Sequence, residues 1–198
     1  MSNASSKKIE VNIILAGGNP ADTSKQHLSV IGKNGDLPWA KTEDGDIKMF
    51  KKVDLNNFKS LSVGHAVMMG RKTWESLPAS FRPLPDRYNM ILSKSNPPKK
   101  EDQNLIFLND IQSGIDYCNG RFVKLFIIGG SSVYHEAVKK GLVDNIYFTN
   151  FPKTFDGDTY VDMVDLTLDF VLHSRTSFVD RGLDPNFTIC HYKRSDLI

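Results

Sequence analysis

Three short runs in this chain carry residues that could hold phosphate. In "IIGGSSVY" (127–134), Gly129 and Gly130 stand between an apolar stretch and the hydroxyls Ser131 and Ser132. Glycine lets backbone come close to a ligand, and a helix starting there would offer N–H groups and a positive dipole end. The run lacks the spacing of a dinucleotide fingerprint, and by itself it fits an ordinary strand-to-helix turn equally well. In "MMGRKTW" (68–74), Gly70 precedes Arg71, Lys72 and Thr73. This is not a P-loop, because an arginine stands where the lysine belongs and the upstream glycine is misplaced. In "LSKS" (92–95), Ser93 and Lys94 follow Leu92. Each signal is weak alone. Together they fit one large polyphosphate ligand such as a dinucleotide, provided the fold gathers strand ends.

The acids raise a different chemistry. "IGKNGDLPWAKTEDGDIKMF" (31–50) crowds Asp36, Glu43, Asp44 and Asp46 around a Leu-Pro-Trp. Asp36 sits in a glycine-bounded turn, a usual place for aspartate. Glu43 and Asp44 precede a helical pattern, where acids complement the dipole. Asp46 shares a face with Met49, Phe50 and Val53 by i, i+3, i+4, i+7 spacing. That face is otherwise apolar, so Asp46 is expected to point inward and meet a donor. The same residue could simply serve the first helical turn, and spacing fits both readings.

The elements that would position these groups can be read from periodicity. "VNIILA" (11–16), "HAVMMG" (65–70), "YNMILS" (88–93), "LIFL" (105–108), "VKLFIIGG" (123–130) and "NIYFTNF" (145–151) read as strands, mostly buried on both faces. Helices are expected over 46–55, 72–77, 110–118 and 131–141. Residues 19–28 read as an exposed loop, and "SNPPKKEDQ" (95–103) as another. Near the C-terminus "LDFVLHSRTSFV" and "NFTICHYKR" alternate as antiparallel strands do, joined by "VDRGLDP" as a turn. The expected fold is α/β, three layers, with a mainly parallel eight-stranded sheet flanked by helices and an antiparallel C-terminal edge hairpin. In such sheets ligands lie beyond the C-terminal strand ends, where the glycine-marked runs fall.

The chain of 198 residues carries a formal charge of +2, too small an excess to argue for nucleic acid. It holds enough apolar residues for one real core, so residues 9–198 are expected to form a single domain behind a disordered tail, 1–8. No apolar run is long enough to span a membrane, and the polar N-terminus lacks a signal-peptide core. Two cysteines without CxxC spacing suit a reduced, cytoplasmic protein. The five histidines are scattered without ligand spacing, so no metal site is expected. Neither "DGD" (44–46, 156–158) continues as a calcium loop.

Taken together, the motifs resemble the dihydrofolate reductase family. Ala16 and "IGKNGDLPW", "MGRKTWESLP", "RPLPDRYNMILS", "IIGGSSVY" and "FTNF" followed by "DGDTYVD" follow that family's pattern in order, closer to its eukaryotic branch. The resemblance runs from about Val11 to the C-terminus and implies NADPH-dependent reduction of dihydrofolate to tetrahydrofolate. It implies a monomer that binds dihydrofolate and antifolate inhibitors, with no fused second enzyme before Ile198. The family carries an acid in the first helix four residues before a Phe. Asp46 before Phe50 fits that spacing, although the stretch from Trp39 is longer than in familiar members; naive counting would point to Asp44 or Gly45. Asp46, Trp39 and Thr149 would then be catalytic. Ile14, Leu37, Ile47, Phe50, Leu77 and Leu84 would line the pterin and aminobenzoyl sites, and Arg87 would pair with the glutamate tail. Ala16, Ile31, Gly32, Gly70, Lys72, Thr73, Leu92, Ile128 and Gly129 to Tyr134, including Val133, would contact the cofactor. Gly129 and Gly130 match a pair joined by a cis peptide in the family. Arg71, Ser93 and Lys94 would surround the 2′-phosphate.

Overall fold

A computed structural model of the chain describes residues 8–94, 103–178 and 187–197. Two compact units share them. One takes the residues up to Asn12 with Ser62–Val143; the other takes Ile13–Leu61 with the residues from Asp144 on.

In the first unit, β3 (Ala66–Gly70), β4 (Tyr88–Leu92), β5 (Leu105–Leu108) and β6 (Lys124–Ile127) form a parallel array in the order β5-β4-β3-β6. The start of β1 (Glu10–Pro20) follows β6, with the Glu10 N–H donating to Val123 O at 3.1 Å. Val67, Met68, Met69, Met90 and Ile91 are buried on both sheet faces, as continuous apolar runs require. Among the described residues this unit carries the α-helices α2 (Arg71–Ser76), α3 (Ile111–Cys118) and α4 (Ser131–Lys139). Asp110 caps α3 by accepting the Ser113 N–H at 2.8 Å.

In the second unit, the rest of β1 is followed in order by β7 (Asn145–Phe155), β10 (Phe187–Arg194) and β9 (Phe170–Phe178). β10 is antiparallel to both its neighbours. Two short strands stand off this path. β2 (Ser29–Gly32) pairs with β1 and β8 (Thr159–Val161). Helix α1 (Gly45–Ser62) and the short α5 (Met163–Thr167) complete it. The core holds Val30, Trp39, Ile47, Phe50, Phe151, Phe155 and Phe187. Sheet type, flanking helices and antiparallel C-terminal strands agree with the sequence expectation.

Three boundaries differ from it. β1 does not stop at the glycine pair but runs to Pro20, because Gly18 still pairs with Val30 and the Ala21 N–H donates to Phe155 O at 2.8 Å. The polar stretch 19–28 contains a 3-10 turn at Thr23–Lys25, capped by Asp22 and held by Lys25 lying 4.4 Å from the Tyr160 ring centroid. α1 runs seven residues past Leu55, since Phe58 and Leu61 continue its inward stripe through the weak helix formers Asn56 and Asn57. The expected tail over 1–7, most of the 95–103 loop and the "VDRGLDP" turn lie outside the described residues.

Candidate active site

In the second unit the site is built on α1, β7 and the Leu-Pro-Trp segment. Lys33 and Asp36 exchange backbone hydrogen bonds of 2.9 and 3.0 Å, with Asn34 and Gly35 at φ 51° and 76°. That is a two-residue turn of the kind Asn-Gly favours. The second "DGD" holds it. Asp158 accepts the Asn34 N–H at 2.7 Å, and Asp156 pairs with Lys33 at 2.7 Å. The turn delivers Trp39 into the core, 4.2 Å from the Phe151 ring centroid and 5.2 Å from that of Phe155. Leu37, just before it, remains exposed.

Asp44 falls at the helix start, as the sequence reading put it, but Asp46 does not turn inward as expected. Asp44, not Asp46, caps α1: its Oδ1 accepts the Asp46 and Ile47 N–H groups at 3.0 and 3.1 Å. Those hydrogen bonds and Lys153 hold the Asp44 pKa below the ordinary carboxylate value. Asp46 stands in the first turn with its side chain 39% exposed, 3.4 Å from Lys153 Nζ. It therefore does not face an apolar interior. The spacing argument failed because Met49, assigned to the same inward face, is itself exposed.

The acid that does turn inward is Asp54, two helical turns later. It stands four residues from both Phe50 and Phe58 and seven from both Ile47 and Leu61, on the helix's buried stripe. The residue is half-buried. Desolvation pushes its pKa up to about 6, opposed by a hydrogen bond from the Thr149 hydroxyl. Thr149 is buried on β7, opposite Ile189 of β10. The sequence signal was available: along α1, acid-x-x-x-Phe occurs twice, as Asp46–Phe50 and Asp54–Phe58. Phe50, read as a substrate contact, is instead packed into the core. Its ring stacks on Phe187 with centroids 4.9 Å apart and planes 10° off parallel. Phe58 is half-buried and Leu55 49% exposed, so these two have surface to offer a ligand. Ile14 and Ile47 are buried, while Ala16, Ile31 and Gly32 are half-buried.

In the first unit, Gly70 ends β3 and Arg71, Lys72 and Thr73 open α2. Arg71 and Lys72 are exposed; Arg71 Nε lies 2.7 Å from Glu75. Leu92 ends β4, followed by buried Ser93 and exposed Lys94. Ile128 leads from β6 to a cis peptide joining Gly129 and Gly130. Gly129 has φ 116°, where a side chain would be strained, and a Cβ there would stand 3.0 Å from the Tyr134 hydroxyl. α4 starts at Ser131 with Gly130 at its N-cap, no side-chain cap and no acid in its first turn. Ser132 is exposed beside buried Val133 and Tyr134. The Gly70 Cβ position is 3.2 Å from Val133 Cγ2. Tight glycines, an uncapped helix start and exposed cations fit an anionic, phosphate-bearing cofactor.

The proline-rich loop of the same unit is ordered by a residue that sequence reasoning passed over. Asn89, fully buried, accepts the Leu84 N–H at 2.9 Å and donates to the carbonyls of Leu84 and Arg87 at 3.0 and 3.1 Å. Arg87 is buried, with Nε donating to Ser62 Oγ at 2.8 Å and Nη1 to Pro85 O at 2.7 Å. Burial lowers its pKa from a very high ordinary value, so the guanidinium remains charged. Leu84 is buried and Leu77, at the end of α2, half-buried.

Among the described residues no cluster of His, Cys, Asp and Glu could hold a metal ion, and no helix is long and apolar enough to cross a membrane. A family model described as dihydrofolate reductase matches residues 23–194. A dihydrofolate reductase of Candida albicans is 37% identical over 158 residues, covering 78% of this chain and 77% of that one. A putative dihydrofolate reductase of Caenorhabditis elegans is 32% identical, covering 82% and 89%. A putative bifunctional dihydrofolate reductase-thymidylate synthase of Oryza sativa is 33% identical, and the match spans 32% of its length. In fold, the chain is similar to the solved dihydrofolate reductase of Enterococcus faecalis complexed with NADP(H) and RAB-propyl. The TM-score is 0.70 at 24% identity, covering 94% of this chain and 97% of that one.

Proposed function

The chain belongs to the dihydrofolate reductase family, and from that premise we propose that Asp54, rather than Asp46, is the carboxylate on which its reaction turns. The enzyme reduces 7,8-dihydrofolate to 5,6,7,8-tetrahydrofolate with NADPH. The observation that carries the assignment is the inward carboxyl of Asp54, desolvated and hydrogen-bonded by Thr149.

NADPH, when bound, supplies the hydride. The neighbouring nitrogen of the pterin ring would take its proton from water, and the chain's residues bind, orient and stabilise the ring. With a pKa of about 6, Asp54 is ionised at neutral pH. An anion fixed in apolar surroundings accepts hydrogen bonds from the amidine-like edge of the pterin, orients the ring and stabilises the positive charge that develops on it. Thr149, buried and bonded to Asp54, holds the carboxylate's orientation. Trp39, Phe151 and Phe155 form a dry wall in the same unit that keeps bulk water from competing. Phe58 and Leu55 take the contact role that the family resemblance implied for Phe50 and Ile47.

Arg87 is held by Ser62 and Pro85 before any ligand arrives, which suits it to receive the carboxylate of the substrate's glutamate tail. Gly129, Gly130, Ser131 and Ser132 would hold the pyrophosphate with Lys72 and Thr73. Arg71, Ser93 and Lys94 would meet the 2′-phosphate and so select NADPH over NADH. The test is direct. Purified protein should consume NADPH only when dihydrofolate is present, and binding of both ligands without turnover would refute the reading.

A further inference from the structure

Asp46 and Lys153 lie outside the chemistry just described, yet their arrangement repeats its geometry. Along α1, Asp46, Phe50 and Asp54 recur every four residues, a rise of about 6 Å each time. Along β7, Lys153, Phe151 and Thr149 recur every two residues, about 6.7 Å each time. The two series meet in antiparallel order. Lys153 Nζ is 3.4 Å from Asp46 Oδ2, the Phe50 and Phe151 ring centroids are 6.3 Å apart, and Thr149 hydrogen-bonds Asp54. Helix and strand therefore share a common pitch over three rungs: an ion pair outside, an aromatic pair in the middle, the catalytic hydrogen bond inside.

Lys153 also reaches Asp44 Oδ2 at 3.4 Å, and Asp44 is the cap of the same helix. One cation thus grips both the cap and the first turn. We propose that Lys153 is a positioning residue that sets the axial register of α1 against β7 and thereby holds Asp54 opposite Thr149. This rests on the assignment of Asp54 made above. An exposed ion pair ordinarily does little for stability. Here its leverage is geometric, because sliding the helix along its axis would draw the Asp54 carboxylate away from the hydroxyl.

The hydride-transfer rate across pH reads that register. Burial and Thr149 are the influences that set the Asp54 pKa, and no charged side chain among the described residues contributes to it. The groups facing Lys153 are Asp44 and Asp46 of the α1 start. If Lys153→Met lets α1 slip, the Thr149 bond weakens and the kinetic pKa must rise. The expected result is a rate at neutral pH lowered about fivefold, the scale of losing an exposed ion pair, with the KM for NADPH unchanged. Lys153→Arg, which keeps a cation facing both Asp44 and Asp46, should restore the profile. Asp46→Asn, which leaves Asp44 in place, should show a smaller shift in the same direction and serves if Lys153→Met folds poorly. A lower melting temperature with an unmoved pH profile would overturn the proposal, as would no change in either. Asp54→Asn run alongside separates the two claims. If it keeps full rate, the Asp54 assignment fails and takes this inference with it. If it is crippled while Lys153→Met keeps the wild-type profile, this inference alone fails.

Discussion

Replacing Asp54 by asparagine should make the ligand-free protein more stable at neutral pH, and the gain should depend on pH in a defined way. Burial raises the carboxyl's pKa from 3.8 to about 6. The folded state therefore binds a proton more tightly than the unfolded chain does. Between about pH 4 and pH 6 the unfolded chain ionises while the folded one resists, so wild-type stability falls as pH rises through that window. Above it the penalty is complete, roughly 3 kcal/mol at its upper limit. Asparagine never ionises and can still accept the Thr149 hydrogen bond. Its amide donors need partners in a half-buried place, which costs on the order of 1 kcal/mol. The expected net gain is about 1–2 kcal/mol above pH 7, falling through zero to a loss of about 1 kcal/mol near pH 4. Urea unfolding of both proteins at several pH values, with the slope checked for constancy, measures it. A variant less stable than wild type at neutral pH, or a difference that ignores pH, would refute the desolvated-carboxylate argument.

Other perturbations separate the remaining roles. Phe50→Ala should destabilise by about 3–5 kcal/mol, as removal of a fully buried ring does; Phe58→Ala should cost less stability and instead raise the KM for dihydrofolate. Arg87→Leu should weaken dihydrofolate binding by at least tenfold while hardly changing the use of a pterin that lacks the glutamate tail. The double change of Arg71→Ala with Lys94→Ala should raise the KM for NADPH far more than that for NADH; equal effects would place those cations elsewhere.

Much of this could be read from residue order, and the exceptions have physical causes. The strands of the parallel array were legible because runs such as Ala66–Gly70 are apolar on both faces. The anion-suited glycines were legible because Gly129, Gly130 and Gly70 each end such a run. The inward-facing acid was not, because two helical stripes compete within α1. Asp46 matches the expected distance to a Phe, but only packing against β7 shows which Phe is core and which keeps open surface. Phe50 is locked between Phe151 and Phe187, and Phe187 is more than a hundred residues away in sequence. Local spacing carries no information about that partner. The stop expected at Leu55 compounded the error, since Asn56 and Asn57 are weak helix formers and only Phe58 and Leu61 carry the stripe onward. Asn89 escaped notice for a related reason: a buried amide that organises a proline-rich loop looks, in sequence, like any polar residue opening a strand.

On the assignment proposed above, Asp54 carries the chemistry and Asp46 does not. Single-turnover hydride transfer from saturating NADPH to dihydrofolate, measured at neutral pH on wild type, Asp54→Asn and Asp46→Asn, tests it most directly. Asp54→Asn should lose at least a hundredfold in rate, the scale expected when a preorganised charge is removed from the transition state. Asp46→Asn should stay within about fivefold of wild type, the limit set by one exposed ion pair. A crippled Asp46→Asn beside a near-normal Asp54→Asn would contradict the account.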